Sequence, residues 1–132
     1  DIATPMEGCD LDGVSGDLCV RPERGDETYA GVGGEQEPPA PGEVIFADAA
    51  GQAHARRWCH RQSALSAVRP GTRRVLIVAE ALHATAAADV ARLLDRLVEA
   101  LASLGFRPGA RALLGPASPR FEVATASPAP AA

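Results

Sequence analysis

The stretch EVIFADAAGQAHARRWC, Glu43 to Cys59, carries the reading on which the fold turns. Val44, Ile45 and Phe46 form a compact run of β-branched and aromatic residues, the composition of a strand. DAAG follows, with Asp48 and Gly51 as turn residues. Beyond it, Ala53, Ala55, Arg57 and Cys59 alternate with His54, Arg56, Trp58 and His60, the period of a returning strand. The stretch predicts a β-hairpin. In a regular strand Cys59 and His60 point to opposite faces, so they form no nucleophile–base pair with each other. His54 and His83 read as surface or loop residues.

Upstream, DLDGVSGDLCVRP (10–22) alternates around Leu18 and Val20 and predicts a strand near 17–21. ERGDETYAGVGGEQEPPAPGE (23–43) is polar and rich in Gly and Pro, the composition of a flexible loop. Its Gly33–Gly34 pair lacks the phosphate-cradle pattern, and flanking acids would repel phosphate. Downstream, RPGT (69–72) reads as a turn, and Val75–Ala79 as a strand covered on both faces. Glu80 follows that run directly, either at the strand's mouth in solvent or buried with a partner. From Thr85 to Leu104, Val90, Leu93, Leu94, Leu97, Val98, Leu101 and Leu104 recur at helical spacing. Thr85 reads as the N-cap, and Gly105 then Pro108 end a helix expected to pack on the sheet. ARALLG (110–115) reads as a last short strand.

A chain of 132 residues is one domain at most. Its small, Pro-rich end after Phe121 reads as disordered, leaving about 110 residues, near the lower size for a self-sufficient core. Aromatics make up 4% of the chain, so that core rests on Val, Leu, Ile and Ala. All thirteen basic residues are Arg, which reads as a coding bias. Residues 1–48 carry twelve acids against two Arg, whereas ARRWCHRQSALSAVRPGTRR (55–74) carries six Arg and no acid. A net charge of −4 disfavours non-specific RNA binding, and leaves a local basic patch as the route to phosphate. Cys9, Cys19 and Cys59 lie far apart with no C-x-x-C pair, so neither a zinc site nor a disulfide framework is indicated. No cofactor motif is present. No apolar run approaches spanning length and no secretory signal opens the chain, which makes the cytoplasm the default location. A start at Asp1 suggests a processed, trimmed or partial product.

The succession DLDGVSGDLCVRP, PPAPGEVIFADAAG, ARRWCHRQS, RPGTRRVLIVAEAL and the amphipathic helix resembles the B3/4 domain. That domain occurs in the β subunit of bacterial phenylalanyl-tRNA synthetase and in free-standing proteins. The resemblance runs from about Asp10 to Leu104 and covers the C-terminal half of a family domain. It implies an α+β fold: a B3/4-like mixed β-sheet with a long amphipathic helix packed on it, in an incomplete domain. The organisation expected is a flexible start (1–9), the domain part (10–115) and a disordered Pro/Ala-rich tail (116–132).

The resemblance also implies a function, tRNA binding with editing hydrolysis of misacylated aminoacyl-tRNA by a positioned water. The synthetase domain hydrolyses wrongly made tyrosyl-tRNA. Glu80 is similar to the glutamate that ends the family's apolar strand and helps recognise the tyrosine hydroxyl. Trp58, Arg61, Gln62 and Ser63 match a stretch of the free-standing proteins and join Glu80 as substrate-binding residues. Arg56, Arg57, Arg69, Arg73 and Arg74, together with Arg61, are a solvated strand-and-turn surface, a docking patch for the tRNA acceptor end, or a contact for a protein partner. Cys59 and His60 replace a family Asn and Trp, while Ser66, Ala67 and Arg69 stand where Thr, Lys and Thr are usual. The second function class is therefore a non-catalytic remnant or protein-interaction domain that keeps the scaffold without its pocket.

Overall fold

The chain is α+β. The computed structural model describes residues 6–57 and 61–123. Its strands are β1 (Met6–Asp10), β2 (Cys19–Pro22), β3 (Val44–Ala47), β4 (Ala53–Arg56), β5 (Arg61–Gln62) and β6 (Val75–Ala79), followed by the helix α1 (Ala86–Ser103). β2, β3, β4 and β5 lie side by side in one antiparallel sheet, and β1 pairs antiparallel with β6 in a second. All six strands belong to the compact unit Asp1–Glu80; α1 belongs to another, Ala81–Ala132.

The hairpin forms as its composition predicts, with Phe46 opposite Ala55 and Ala47 opposite Ala53. Asp48 closes it as an Asx turn. Its Oδ1 accepts from the N–H of Ala50 at 2.9 Å and of Gln52 at 3.0 Å. Gly51 supplies a φ of 79°, which a side chain would resist. The return strand is shorter than its alternation suggests. Arg57 takes left-handed backbone, φ 48°, and its N–H donates to Glu43 Oε1 at 2.8 Å. A strand ends where an L-residue enters that region. The chain comes back as β5, opposite Ala55 and Arg56. Trp58, Cys59 and His60 lie outside the described residues, and so does the expectation about their faces.

Every residue of β4 is buried, on both sides of the strand. Ala53 and Ala55 admit close neighbours, and Ala53 joins Tyr29, Ile45 and Ala47 in the core. His54 and Arg56, read from sequence as outward-facing, are buried with bonded partners instead. The cover comes from residues 23–43, the segment expected to be flexible. Tyr29 is buried and its hydroxyl donates to the Gln62 carbonyl at 3.0 Å. Glu27 accepts from Arg21 Nη1 at 2.6 Å and from the N–H of Arg24 and Gly25. Glu43 holds Arg56 through Nε at 3.1 Å and Nη2 at 2.9 Å. Three acids of this segment, Glu27, Glu37 and Glu43, serve as acceptors for arginines of the sheet.

Other expectations are corrected in the same physical terms. Met6–Asp10 is a strand, where 1–9 was expected to be flexible: its partner β6 lies nearly seventy residues on, with Cys9 opposite Leu76. Val75 and Ile77 are 43% and 36% exposed, so β6 is covered on one face and open on the other. Thr85 makes no side-chain cap; its hydroxyl donates to Asp89 Oδ2 at 2.6 Å, which also binds His83. At the far end the helix closes as predicted on Gly105, φ 86°. Gly105 N–H reaches the Ala102 carbonyl at 3.1 Å, and Phe106 N–H reaches that of Leu101 at 3.0 Å. The apolar stripe from Val90 to Leu101 is half-buried, Leu104 is exposed, and of the charged face Arg92, Asp95, Arg96 and Glu99 are exposed; no residue of α1 is buried. ARALLG forms no strand; a single bridge joins Gly115 and Ser118.

Burial opposes ionisation of Glu27 and Glu43, but hydrogen bonds outweigh it and bring both to about 2, below the ordinary 4.5. Depressed carboxyls stabilise the fold above their unfolded value and lose that contribution as pH falls. Urea midpoints should therefore drop between about pH 4.5 and pH 2. Glu43→Ala leaves an enclosed guanidinium without its main partner and should cost about 3–5 kcal/mol at neutral pH. A midpoint within experimental error of wild type would contradict the role given to this pair.

Candidate functional site

A cleft lies between the two sheets of the first unit. Glu7, Cys9, Leu76 and Val78, the inward residues of β1 and β6, form one wall. Phe46, His54, Gln62 and Ser66 form the other. Its cavity is ≈ 10 Å³, room for about one water.

Glu7 lines the cleft, and the charge of a second carboxyl, Glu80, acts on it. Gln62 Nε2 donates to Glu7 Oε2 at 3.3 Å. Burial pushes Glu7 above its ordinary value, the Gln62 hydrogen bond opposes this, and the nearby Glu80 charge adds to it. Glu80, half-buried where β6 ends, is also pushed up by burial. Its Oε2 is enclosed yet has no hydrogen-bond partner among the described residues. Of the two placements open from sequence, burial holds for this oxygen, without the partner. Such an acceptor costs about 1–3 kcal/mol until a donor reaches it.

Behind the cleft runs a hydrogen-bonded relay. His54 Nδ1 lies 2.7 Å from Ser66 Oγ, and Nε2 lies 2.7 Å from Asp48 Oδ2. All three residues are buried. Burial works against Asp48 ionising, but bonds from His54 and from the N–H of Ser15 and Gln52 hold its carboxyl below the usual value. Cys9 sits nearby; burial raises its thiol, the Ser66 hydroxyl opposes that, and the Glu7 and Asp10 charges reinforce it. Sequence reasoning missed this relay because Asp48 read as a turn residue, His54 as surface or loop, and Ser66 only as standing where the family usually has Thr. The six-residue spacing of Asp48 and His54 across one hairpin was the available signal.

The other predicted residues divide. Gln62 lines the cleft and Glu80 couples to it through Glu7. Ser63 is buried at the end of β5, where it bridges to Gly31, its N–H donates to the His54 carbonyl and its Oγ accepts from Leu65 N–H. Arg61 is partly exposed and pairs with Glu37 at 3.3 Å. Trp58 lies outside the described residues. Among the arginines, Arg56 is 1% exposed, bound to Glu43 and stacked 5.0 Å from the Tyr29 ring centroid, so it does not face solvent phosphate. Arg74 pairs with Asp12 at 2.9 Å. Arg57, Arg69 and Arg73 are exposed and make no ion pair among the described residues.

A family model for the B3/4 domain matches residues 1–103. The chain belongs to the B3/4 domain family. The match includes the β1 strand, which the resemblance read from sequence left out. No curated protein and no solved structure matches this B3/4 domain. Among the described residues there is no cluster of His, Cys, Asp or Glu able to hold a metal ion, and no helix is long and apolar enough to cross a membrane.

Glu80 carries a measurable signature. A raised carboxyl costs stability as pH rises through the unfolded value near 4.5 toward its folded value. Glu80→Gln should remove part of that loss, raising the urea midpoint at pH 7 relative to pH 4. An identical pH dependence in wild type and variant would show Glu80 to be solvated.

Proposed function

We propose that this B3/4 domain binds the aminoacylated end of a tRNA, with Glu80 as the group that receives a hydroxyl of the amino acid, and promotes hydrolysis of the misplaced ester in the cytoplasm. The observation that carries the reading is the enclosed Oε2 of Glu80, without a hydrogen-bond partner among the described residues, whose charge acts on the cleft residue Glu7. A ligand hydroxyl would satisfy it, and a ligand lacking one would leave it orphaned, which is the physical basis of strong discrimination. Of the arginines read from sequence as a docking patch, Arg57, Arg69 and Arg73 make no ion pair among the described residues and are open to phosphates, with Arg74 and Arg61 joining them only by giving up Asp12 and Glu37. Water would be the nucleophile, and donors at the cleft would stabilise the developing oxyanion.

A second reading, a non-catalytic interaction domain, draws support from the one-water cavity and from Arg56 and Ser63, which are committed to structure.

Release of free tyrosine from tyrosyl-tRNA of the wrong identity separates the two. Hydrolysis lost in Glu80→Gln supports editing; no release by wild type leaves the interaction domain. Replacing both Arg69 and Arg73 with Ala should flatten the slope of log affinity against log salt by about 0.7–0.9 for each phosphate no longer neutralised. An unchanged slope would make them plain surface charge.

A further inference from the structure

Asp48, His54 and Ser66 form a hydrogen-bonded chain that the tRNA reading leaves unused. The Asp48 carboxylate can only accept, so the hydrogen shared with His54 sits on Nε2, and in the neutral imidazole Nδ1 is then the acceptor. The hydrogen in the contact between Nδ1 and Oγ then belongs to the Ser66 hydroxyl. That is the polarity of an activated serine: an imidazole placed to take the hydroxyl proton, held in one tautomer by a carboxylate. Ser66 ties β1 into the fold through its backbone carbonyl, which accepts from Asp10 N–H at 2.8 Å. Its hydroxyl is not needed for that bond. His54, Ser66 and Gln62 line one cleft, and the Gln62 amide has a second hydrogen besides the one given to Glu7. Cys9, the other nucleophile there, is kept in its thiol form by burial.

We propose that Ser66 is an acyl-accepting nucleophile, with His54 as its general base, Asp48 as the positioning residue and small carboxylic esters as substrates. The Oγ bonds to the carbonyl carbon while its proton passes to His54 Nδ1. The carbonyl π pair moves onto oxygen, toward the free Gln62 N–H. Collapse breaks the ester C–O bond, and the departing alcohol takes the proton from Nδ1. Water then attacks the acyl-serine carbonyl and gives its proton to Nδ1; the acid leaves, and Ser66 recovers its proton. No oxidant or cofactor enters the balance. The cavity holds about one water as it stands, so acylation requires the walls of the cleft to part, and the smallest acyl groups demand the least opening.

The site can be tested on the wild-type chain, independently of tRNA. Treatment with a fluorophosphonate, which loses fluoride as serine bonds to phosphorus, should give one adduct, mapped to Ser66 by peptide mass spectrometry. p-Nitrophenyl acetate should be hydrolysed, with turnover falling at least about 100-fold in Ser66→Ala and His54→Gln. Asp48→Asn should shift the pH–rate profile of that hydrolysis, a readout that a loss of stability alone would not move. No adduct, an adduct elsewhere, or wild-type turnover by Ser66→Ala would overturn the assignment. A chain that edits tRNA without labelling at Ser66 would keep the tRNA reading and lose this one; a labelled chain with no affinity for tRNA would do the reverse.

Discussion

The Asp48 carboxylate is the point on which the first unit is organised. Oδ1 takes the N–H of Ala50 and Gln52 and so shapes the turn; Oδ2 takes Ser15 N–H and His54 Nε2 and so reaches the β1–β2 connection and the cleft. Four donors on one buried carboxylate leave it ionised and fixed, since each bond favours the charged form. The turn geometry, the burial of β4 and the tautomer of His54 thus share a single group. Any change at Asp48 acts on folding and on the cleft together.

Burying β4 on both sides imposes the next requirement. Polar side chains enclosed there need partners, because an unpaired charge in a protein interior is expensive. The acidic third of the chain supplies them, Glu43 and Glu37 for Arg56 and Asp48 for His54, and it also pairs Arg21 of β2 with Glu27 and the exposed Arg74 with Asp12. The uneven charge along the sequence is therefore partly cancelled in space, pair by pair. What remains on the surface for a phosphate is a smaller and differently chosen set of arginines than the linear patch contains.

Four glutamates in one unit show environment deciding ionisation. Glu27 and Glu43 are surrounded by N–H and guanidinium donors and are held acidic; Glu7 and Glu80 have burial with too few donors and are pushed the other way. The first two spend their interactions on the scaffold. The second two hold unrelieved cost, Glu7 in the cleft and Glu80 at the end of β6, which is where a ligand could recover it.

Local pattern was enough for the hairpin around Asp48 and Gly51, for the apolar β6 strand and for the helix closing at Gly105, because each depends on neighbours within a few residues. The place of Glu80 at a strand end was equally legible. Tertiary structure alone decided that β1 and β6 pair across the chain, that Tyr29 and Glu43 fold a Gly- and Pro-rich loop over β4, and that Arg56 and His54 turn inward. Alternation says which residues share a face, not whether that face meets solvent. The acceptors that make inward polar residues tolerable come from residues far along the chain, so the relay through His54 exists only once the fold has brought Asp48 and Ser66 to its two nitrogens.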